Sequence, residues 1–175
     1  MELVDLYDRQ KRNLNKTFER WSGEPIEGEY KQSVHIWILN SKGELLIQKR
    51  ADNRLRNPGK WAFTGGMVDK GETSLNGAVR ELKEELGIEV TEEKMDFIIS
   101  FKREHVFVDV WLLQYDIAIE DLILQREEVS EAKWVSISEL NRMIEDGSFV
   151  KSTKLYFELF ERILENCYKL EKISI

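Results

Sequence analysis

The sequence predicts an α/β fold with a mixed central β-sheet, and three observations lead there. Runs rich in β-branched and aromatic residues, bounded by turn residues, share the chain with three stretches whose apolar residues recur at helical spacing. The strands and helices do not follow the strict β-α-β alternation of an all-parallel sheet. The chain has 175 residues, 42% hydrophobic and 34% charged, which suits a single domain over residues 1–175. A domain of that size buries roughly 70% of its unfolded surface without help from disulfides or metal.

Residues 2–7 (ELVDLY) alternate weakly and read as an edge strand, followed by a polar turn from Asp8 to Asn15. Residues 1–30 thus form an N-terminal strand or hairpin extension, in which Gly23, Pro25 and Gly28 make Glu19–Tyr30 an irregular connection. Ser33–Leu39 (SVHIWIL) and Glu44–Lys49 (ELLIQK) flank the turn Asn40–Gly43, a strong hairpin signal. Arg50–Lys60 is a polar loop ending in Pro-Gly, and Trp61–Thr64 is a short apolar stretch broken by Gly65 and Gly66. From Thr73 the period becomes helical through Leu75, Ala78, Val79, Leu82 and Leu86, and Gly87 is the natural stop. Met95–Ile119 alternates over most of its length and reads as one long strand, apolar on both faces and therefore buried on both. Lys133–Val135 predicts a last strand, and Ser136–Ile144 a helix capped by Ser136 or Ser138. Thr153–Leu170 predicts a long amphipathic helix with the stripe Leu155, Leu159, Ile163, Leu164, Cys167 and Leu170. Within residues 151–175 this stripe suits packing on its own domain or on a second subunit of a homodimer.

Composition excludes several classes. A net charge of -7 argues against nucleic-acid polymers and anionic membranes, since phosphate attraction needs a basic field. No apolar run approaches the ~20 residues that span a bilayer. The N-terminus MELVDLYDRQ lacks a signal-peptide pattern, and a lone Cys builds no disulfide framework, so a reducing, cytoplasmic setting is expected. A partner bearing phosphates would have to be drawn in by something other than net charge, and a metal ion is the natural candidate.

The chemistry concentrates in Gly66–Ile88, GMVDKGETSLNGAVRELKEELGI. Glu81, Glu84 and Glu85 stand at i, i+3 and i+4, three carboxylates within one helical turn. Like charges at that spacing repel, and a divalent cation removes the repulsion. Hard oxygen ligands on a rigid helix suit Mg²⁺, whose remaining positions take water or phosphate oxygens. Arg80 and Glu72 are placed to pair and lock the entering loop against the helix. Leu82 and Leu86 would face the core, and Gly65, Gly66 and Gly71 let the loop bring main-chain groups close to a ligand.

This stretch resembles the Nudix box, G-x5-E-x7-R-E-U-x-E-E-x-G-U with U a bulky aliphatic residue. Gly66, Glu72, Arg80, Glu81, Leu82, Glu84, Glu85, Gly87 and Ile88 fill every specified position. At roughly 5–7% usage per residue type, a chance match at one start is on the order of one in a billion. The resemblance extends more loosely over residues 30–165. It implies an α/β/α sandwich and a hydrolase that cleaves a diphosphate linked to another moiety, using Mg²⁺ or Mn²⁺. It implies Glu81, Glu84, Glu85 and the Gly66 carbonyl as metal ligands, with Glu72 and Arg80 as an orienting pair. The general base would be a box glutamate or a later loop acid, here Glu127, Glu128 or Glu131. Arg50, Arg54 and Arg56 are candidates for phosphate contact, and Trp61, Phe63, Phe107 and Trp111 for covering a base or an apolar tail. Arg50, Trp61 and Phe63 are the substrate-binding choices.

The flanks, including LVDLYDRQ, GEYKQSVHIWILNSKGELLIQKRA and NPGKW, are similar to the subgroup near isopentenyl-diphosphate isomerases. Those enzymes need a Cys–His segment after the tryptophan, where this chain has Ala62-Phe63-Thr64-Gly65-Gly66. Its only Cys, Cys167, lies far away, and His35 and His105 read as structural. An isomerase and a non-catalytic nucleotide-sensing domain are the alternatives to a hydrolase.

Overall fold

The computed structural model describes residues 2–154 together with Tyr156, Phe157, Glu161, Arg162 and Asn166. In chain order its strands are β1 (Leu3–Tyr7), β2 (Asn13–Glu19), β3 (Lys31–Leu39), β4 (Leu45–Arg50), β5 (Trp61–Ala62), β6 (Met95–Arg103), β7 (Val106–Gln114) and β8 (Val129–Val135). Helix α1 (Ser74–Leu86) follows β5, and α2 (Ile137–Glu145) follows β8.

β3 and β7 form the middle of the sheet, paired in parallel from Lys31↔Val106 to Leu39↔Gln114. Both are buried on their two faces, as their continuous apolar runs require. β6 adds antiparallel to β7, and β4 carries β8 antiparallel on one edge. The other edge of β4 meets β3 only at Ile38↔Leu46 and Leu39↔Leu45, and then pairs with β5. β3 and β4 therefore splay apart beyond their turn. The chain after β5 threads into the opening: Ile36 N donates to Thr64 O at 2.8 Å, Val34 N to Gly66 O at 2.8 Å, and Val68 N to Gln32 O at 3.0 Å. This threading seats the Gly65–Gly66 segment on the central strand.

Side-chain alternation on β3 divides the core. Val34, Ile36 and Ile38 pack with Ala78, Leu82 and Leu86 of α1 on one side of the sheet. Trp37 packs with Leu140, Met143 and Ile144 of α2, and with Phe63 and Phe149, on the other. The layers are helix, mixed sheet, helix: an α/β/α sandwich. α1 starts where the Thr73 side chain accepts from Asn76 N at 3.1 Å, and ends at Gly87 with φ 71°. Ser136 caps α2 by accepting from Glu139 N at 3.2 Å.

Three elements differ from expectation. The predicted single strand over Met95–Ile119 is the hairpin β6–β7, which reverses at Glu104 (φ 45°) and His105. The period-2 pattern continues on both sides of the charged Lys102–His105 run, so alternation alone conceals the reversal. β2 begins within the predicted polar turn Asp8–Asn15 and pairs with β1, making the N-terminal extension a hairpin. The last strand is longer than Lys133–Val135, because β8 follows β4 down to Val129↔Arg50. Of the predicted C-terminal helix, Lys154, Tyr156, Phe157, Glu161, Arg162 and Asn166 are helical. Its stripe residues Leu155, Leu159, Ile163, Leu164, Cys167 and Leu170 lie outside the described residues. No helix among the described residues is long and apolar enough to cross a membrane.

Candidate active site

Arg80 organises the site from within α1. Its Nε and Nη2 donate to the two oxygens of Glu72, each at 3.0 Å, and Nη2 also reaches the Met67 carbonyl at 3.0 Å. Glu72 in turn accepts from Asp69 N at 3.1 Å, so one guanidinium ties the loop before the helix to the helix itself. Such a two-pronged carboxylate pair fixes orientation as well as charge. The remaining Nη1 bridges Glu81 (2.9 Å) and Glu84 (3.0 Å).

The three helix carboxylates are not equivalent. Glu84 stands at the rim, its side chain 50% exposed. Glu81 and Glu85 are 6% and 2% exposed and lie in the same buried row as Ala78 and Leu82, so this is no solvated charge run. Glu85 Oε2 accepts from Gln48 Nε2 at 2.8 Å and from Gly65 N at 3.2 Å, while Gln48 Oε1 accepts from Thr64 Oγ1 at 3.1 Å. Burial, with the Glu81 charge nearby, pushes the Glu85 carboxyl up to about 8 despite those two hydrogen bonds. Burial also raises Glu81, against the pull of Arg80.

The glycines before the helix are required by contact. A Cβ on Gly66 would lie 2.5 Å from Glu81 Cδ and overlap its oxygens. Gly65 has φ 155°, and a Cβ there would overlap the Val34 carbonyl. Main chain and carboxylates thus approach as closely as atoms allow. The donor chemistry fits a hard divalent cation: carboxylate oxygens of Glu81, Glu84 and Glu85, and the Gly66 carbonyl, which keeps one lone pair free beside its bond from Val34 N. Among the described residues no group of three or more His, Cys, Asp or Glu side chains is already gathered as a cage, since Arg80 occupies the space between Glu81 and Glu84.

Glu81 and Glu84, but not the more deeply buried Glu85, open onto a cleft of about 610 Å³. Gly65, Gly66, Glu81 and Glu84 line one end, and Arg50, Arg54 and Glu128 form a wall. His35, Arg103 and Tyr156 also line the cleft, and the N-terminal extension contributes Arg20 and Trp21. Of the predicted loop acids, Glu128 lines the cleft and pairs with Arg54 at 3.1 Å. Glu131 is turned away to Lys49 at 2.7 Å, and Glu127 is exposed outside the cleft. Arg50 lines the cleft and donates to the Arg56 carbonyl at 2.9 Å. Phe63 reaches the cleft but is mostly core, stacked on Trp37 at 4.3 Å between ring centroids. Trp61 does not line it: neighbours on a strand point to opposite faces, and Trp61 packs at the edge of the α2-side core under Lys133, 4.9 Å from its ring. Phe107 is buried beside Tyr30, and Trp111 donates to Ser74. Sequence reasoning missed Gln48, whose signal was a polar residue inside the apolar run LLIQK.

The NUDIX domain family model matches residues 29–154. An uncharacterized Nudix hydrolase of Listeria monocytogenes is 38% identical over 152 residues, covering 86% of this chain and 89% of the relative. Isopentenyl-diphosphate Delta-isomerase 2 of Photorhabdus laumondii is 28% identical over 132 residues, covering 69% of this chain and 71% of the relative. The crystal structure of a Deinococcus radiodurans protein superposes with a TM-score of 0.74 at 22% identity, covering 95% of this chain and 99% of that one, which shows the shared fold.

Proposed function

The chain belongs to the Nudix hydrolase family, which acts on pyrophosphate-containing substrates with divalent metal ions, and from that premise we propose a Mg²⁺-dependent pyrophosphohydrolase that cleaves a small organic diphosphate by water attack at phosphorus. The observation that carries this reading is the buried Glu81–Glu85 pair packed against Gly65–Gly66 and braced by the Arg80–Glu72 strut.

Glu81, Glu84, Glu85 and the Gly66 carbonyl would hold Mg²⁺, or Mn²⁺ in its place. Bound there, the ion would neutralise diphosphate charge and acidify a water. Arg80 keeps Glu81 and Glu84 oriented, and Glu72 and the Met67 carbonyl keep Arg80 from swinging away. Gln48 and Gly65 both address Oε2 of Glu85, which fixes that carboxylate while leaving Oε1 for the reaction. Arg50 supplies positive charge to the diphosphate on the same wall. Glu128 takes the proton of the attacking water, as the loop acid that reaches the cleft, and Arg54 holds it there.

The test is turnover by Glu84→Gln and Glu85→Gln with Mg²⁺, on a panel of nucleoside triphosphates, nucleotide sugars, ADP-ribose, dinucleoside polyphosphates and prenyl diphosphates. Each variant should lose at least about 100-fold in kcat, in line with removal of a transition-state charge contact. Near-normal turnover in both would overturn the metal assignment. Isopentenyl diphosphate in the same panel should give no allylic isomer, because Ala62–Gly66 carry neither Cys nor His to move the proton.

A further inference from the structure

Almost every cation around the cleft is already matched by an acid. Arg20 pairs with Glu2 at 3.0 Å, Lys31 with Glu24 at 2.9 Å, Arg54 with Glu128 at 3.1 Å, and Arg56 with Glu24 at 3.2 Å. Arg80 is held by the box glutamates. Of the arginines lining the cleft, two have no acidic partner among the described residues, Arg50 and Arg103. Arg50 stands at the carboxylate end, where it feels Glu85 and Glu128. Arg103, at the end of β6, lines the cleft near His35 and Tyr156, on both of which its charge acts.

Arg103 acts on two groups among the described residues, His35 and Tyr156, and both are neutral. The His35 Nδ1 and the Tyr156 hydroxyl are 2.6 Å apart. Burial and the Arg103 charge push His35 down to about 4, and burial raises Tyr156. An arginine facing two neutral polar groups in a half-enclosed cleft has its fork of donors open to a ligand. This position is continuous with the reaction end. A Cβ on Gly65 would lie 3.1 Å from the His35 Cα, and the Gly65 amide donates to Glu85.

We infer that Arg103, with the Tyr156 hydroxyl, is a second anion-recognition point that selects diphosphates carrying a further phosphate monoester or carboxylate beyond the scissile linkage. The inference deepens the hydrolase reading and rests on it for the position of the diphosphate. Arg50 and the metal-binding end take the diphosphate charge, and Arg103 takes the second anion. A neutral sugar or apolar tail at the same place leaves the guanidinium half-buried and unpaired, so the preference has a penalty as well as a gain.

The experiment compares matched ligands that differ by one anionic group: NADPH against NADH for a phosphate monoester, and UDP-glucuronate against UDP-glucose for a carboxylate. Dissociation constants are measured by calorimetry with Mg²⁺ on Glu84→Gln, so that turnover does not consume the ligand, and again with Arg103→Gln or Arg103→Lys added. The member with the extra anionic group should, in at least one pair, bind on the order of tenfold more tightly, the worth of a charge-assisted hydrogen bond. Arg103→Gln should erase that preference by weakening the member with the extra anionic group and leaving its twin bound at least as tightly as before, and Arg103→Lys should keep part of it. The pair that shows the effect tells phosphate from carboxylate. Equal binding within both pairs, or a preference that survives Arg103→Gln, overturns the assignment. Turnover enters neither arm, so failure here and failure of the hydrolase reading are separately visible.

Discussion

Gly66 and Gly65 are adjacent, yet replacing each by alanine should fail in different ways. At Gly66 the new methyl overlaps the carboxylate end of Glu81, the far end of a side chain with several rotatable bonds. Glu81 can swing aside at the cost of its 2.9 Å bond from Arg80, so Gly66→Ala should lose only about 1–2 kcal/mol of stability. Displacing a ligating carboxylate by an ångström costs on the order of 100-fold in rate. At Gly65 the methyl overlaps the Val34 carbonyl oxygen in the middle of β3, from a backbone at φ 155°. Neither partner can rotate away. Gly65→Ala should therefore cost about 3 kcal/mol or more, from strain and a displaced strand. That corresponds to at least ~6 °C in melting temperature at this chain length. Thermal unfolding and kcat/KM on the best substrate of the panel, measured on both variants, decide the matter. A Gly66→Ala protein with unchanged turnover, or with a thermal loss matching that of Gly65→Ala, would refute the link between this loop and the Glu81 position.

Other expectations follow from the same geometry. Below pH 6.5 the unfolded chain protonates His35, which the folded protein keeps neutral until about pH 4. Stability should therefore fall as pH drops across that window, by up to ~3 kcal/mol, and His35→Gln should flatten that part of a urea-unfolding series. Asp109 is 2% exposed and bonded to Lys11 and Gln32, so Lys11→Met should cost about 3 kcal/mol. The same change should free the N-terminal hairpin to limited proteolysis before the rest of the chain. Mg²⁺ at 100 times its dissociation constant should stabilise the wild type by about 2.7 kcal/mol, and Glu85→Gln should remove most of that gain in a thermal-shift titration. Leu82→Ala should cost about 2–5 kcal/mol, because that side chain is fully enclosed between α1 and β3.

The sequence showed local order well and long-range order poorly. Thr73 and Gly87 marked the ends of α1 because caps are local chemistry, and the box spacing pointed to Arg80 and Glu72 for the same reason. The β6–β7 hairpin was hidden because a period of two reads the same in either chain direction. The splay of β3 from β4 was invisible for a different reason. It follows from the insertion of Thr64 and Gly66 between two strands, a pairing that no residue type announces. The three glutamates were legible as one face of one turn. Their division into a buried pair and a rim residue was not, because it depends on Gln48 and Gly65 arriving from other elements.

Net charge and local charge make opposite statements about this protein, and only their combination describes its partners. The chain carries -7 overall, which repels polyanions at a distance. The residues lining the cleft reverse that balance among the described residues, with Arg and Lys side chains outnumbering the acidic ones. Pairing then distributes the positive charge. Where an arginine meets an acid, as Arg54 does Glu128, it orders the wall and contributes little attraction. Where it meets none among the described residues, as at Arg50 and Arg103, its charge stays available to a ligand. A long polymer would have to approach the acidic exterior along much of its length, whereas a compact anion meets only the cleft. By the same distribution of charge, the cleft suits a compact phosphate compound better than a nucleic-acid strand.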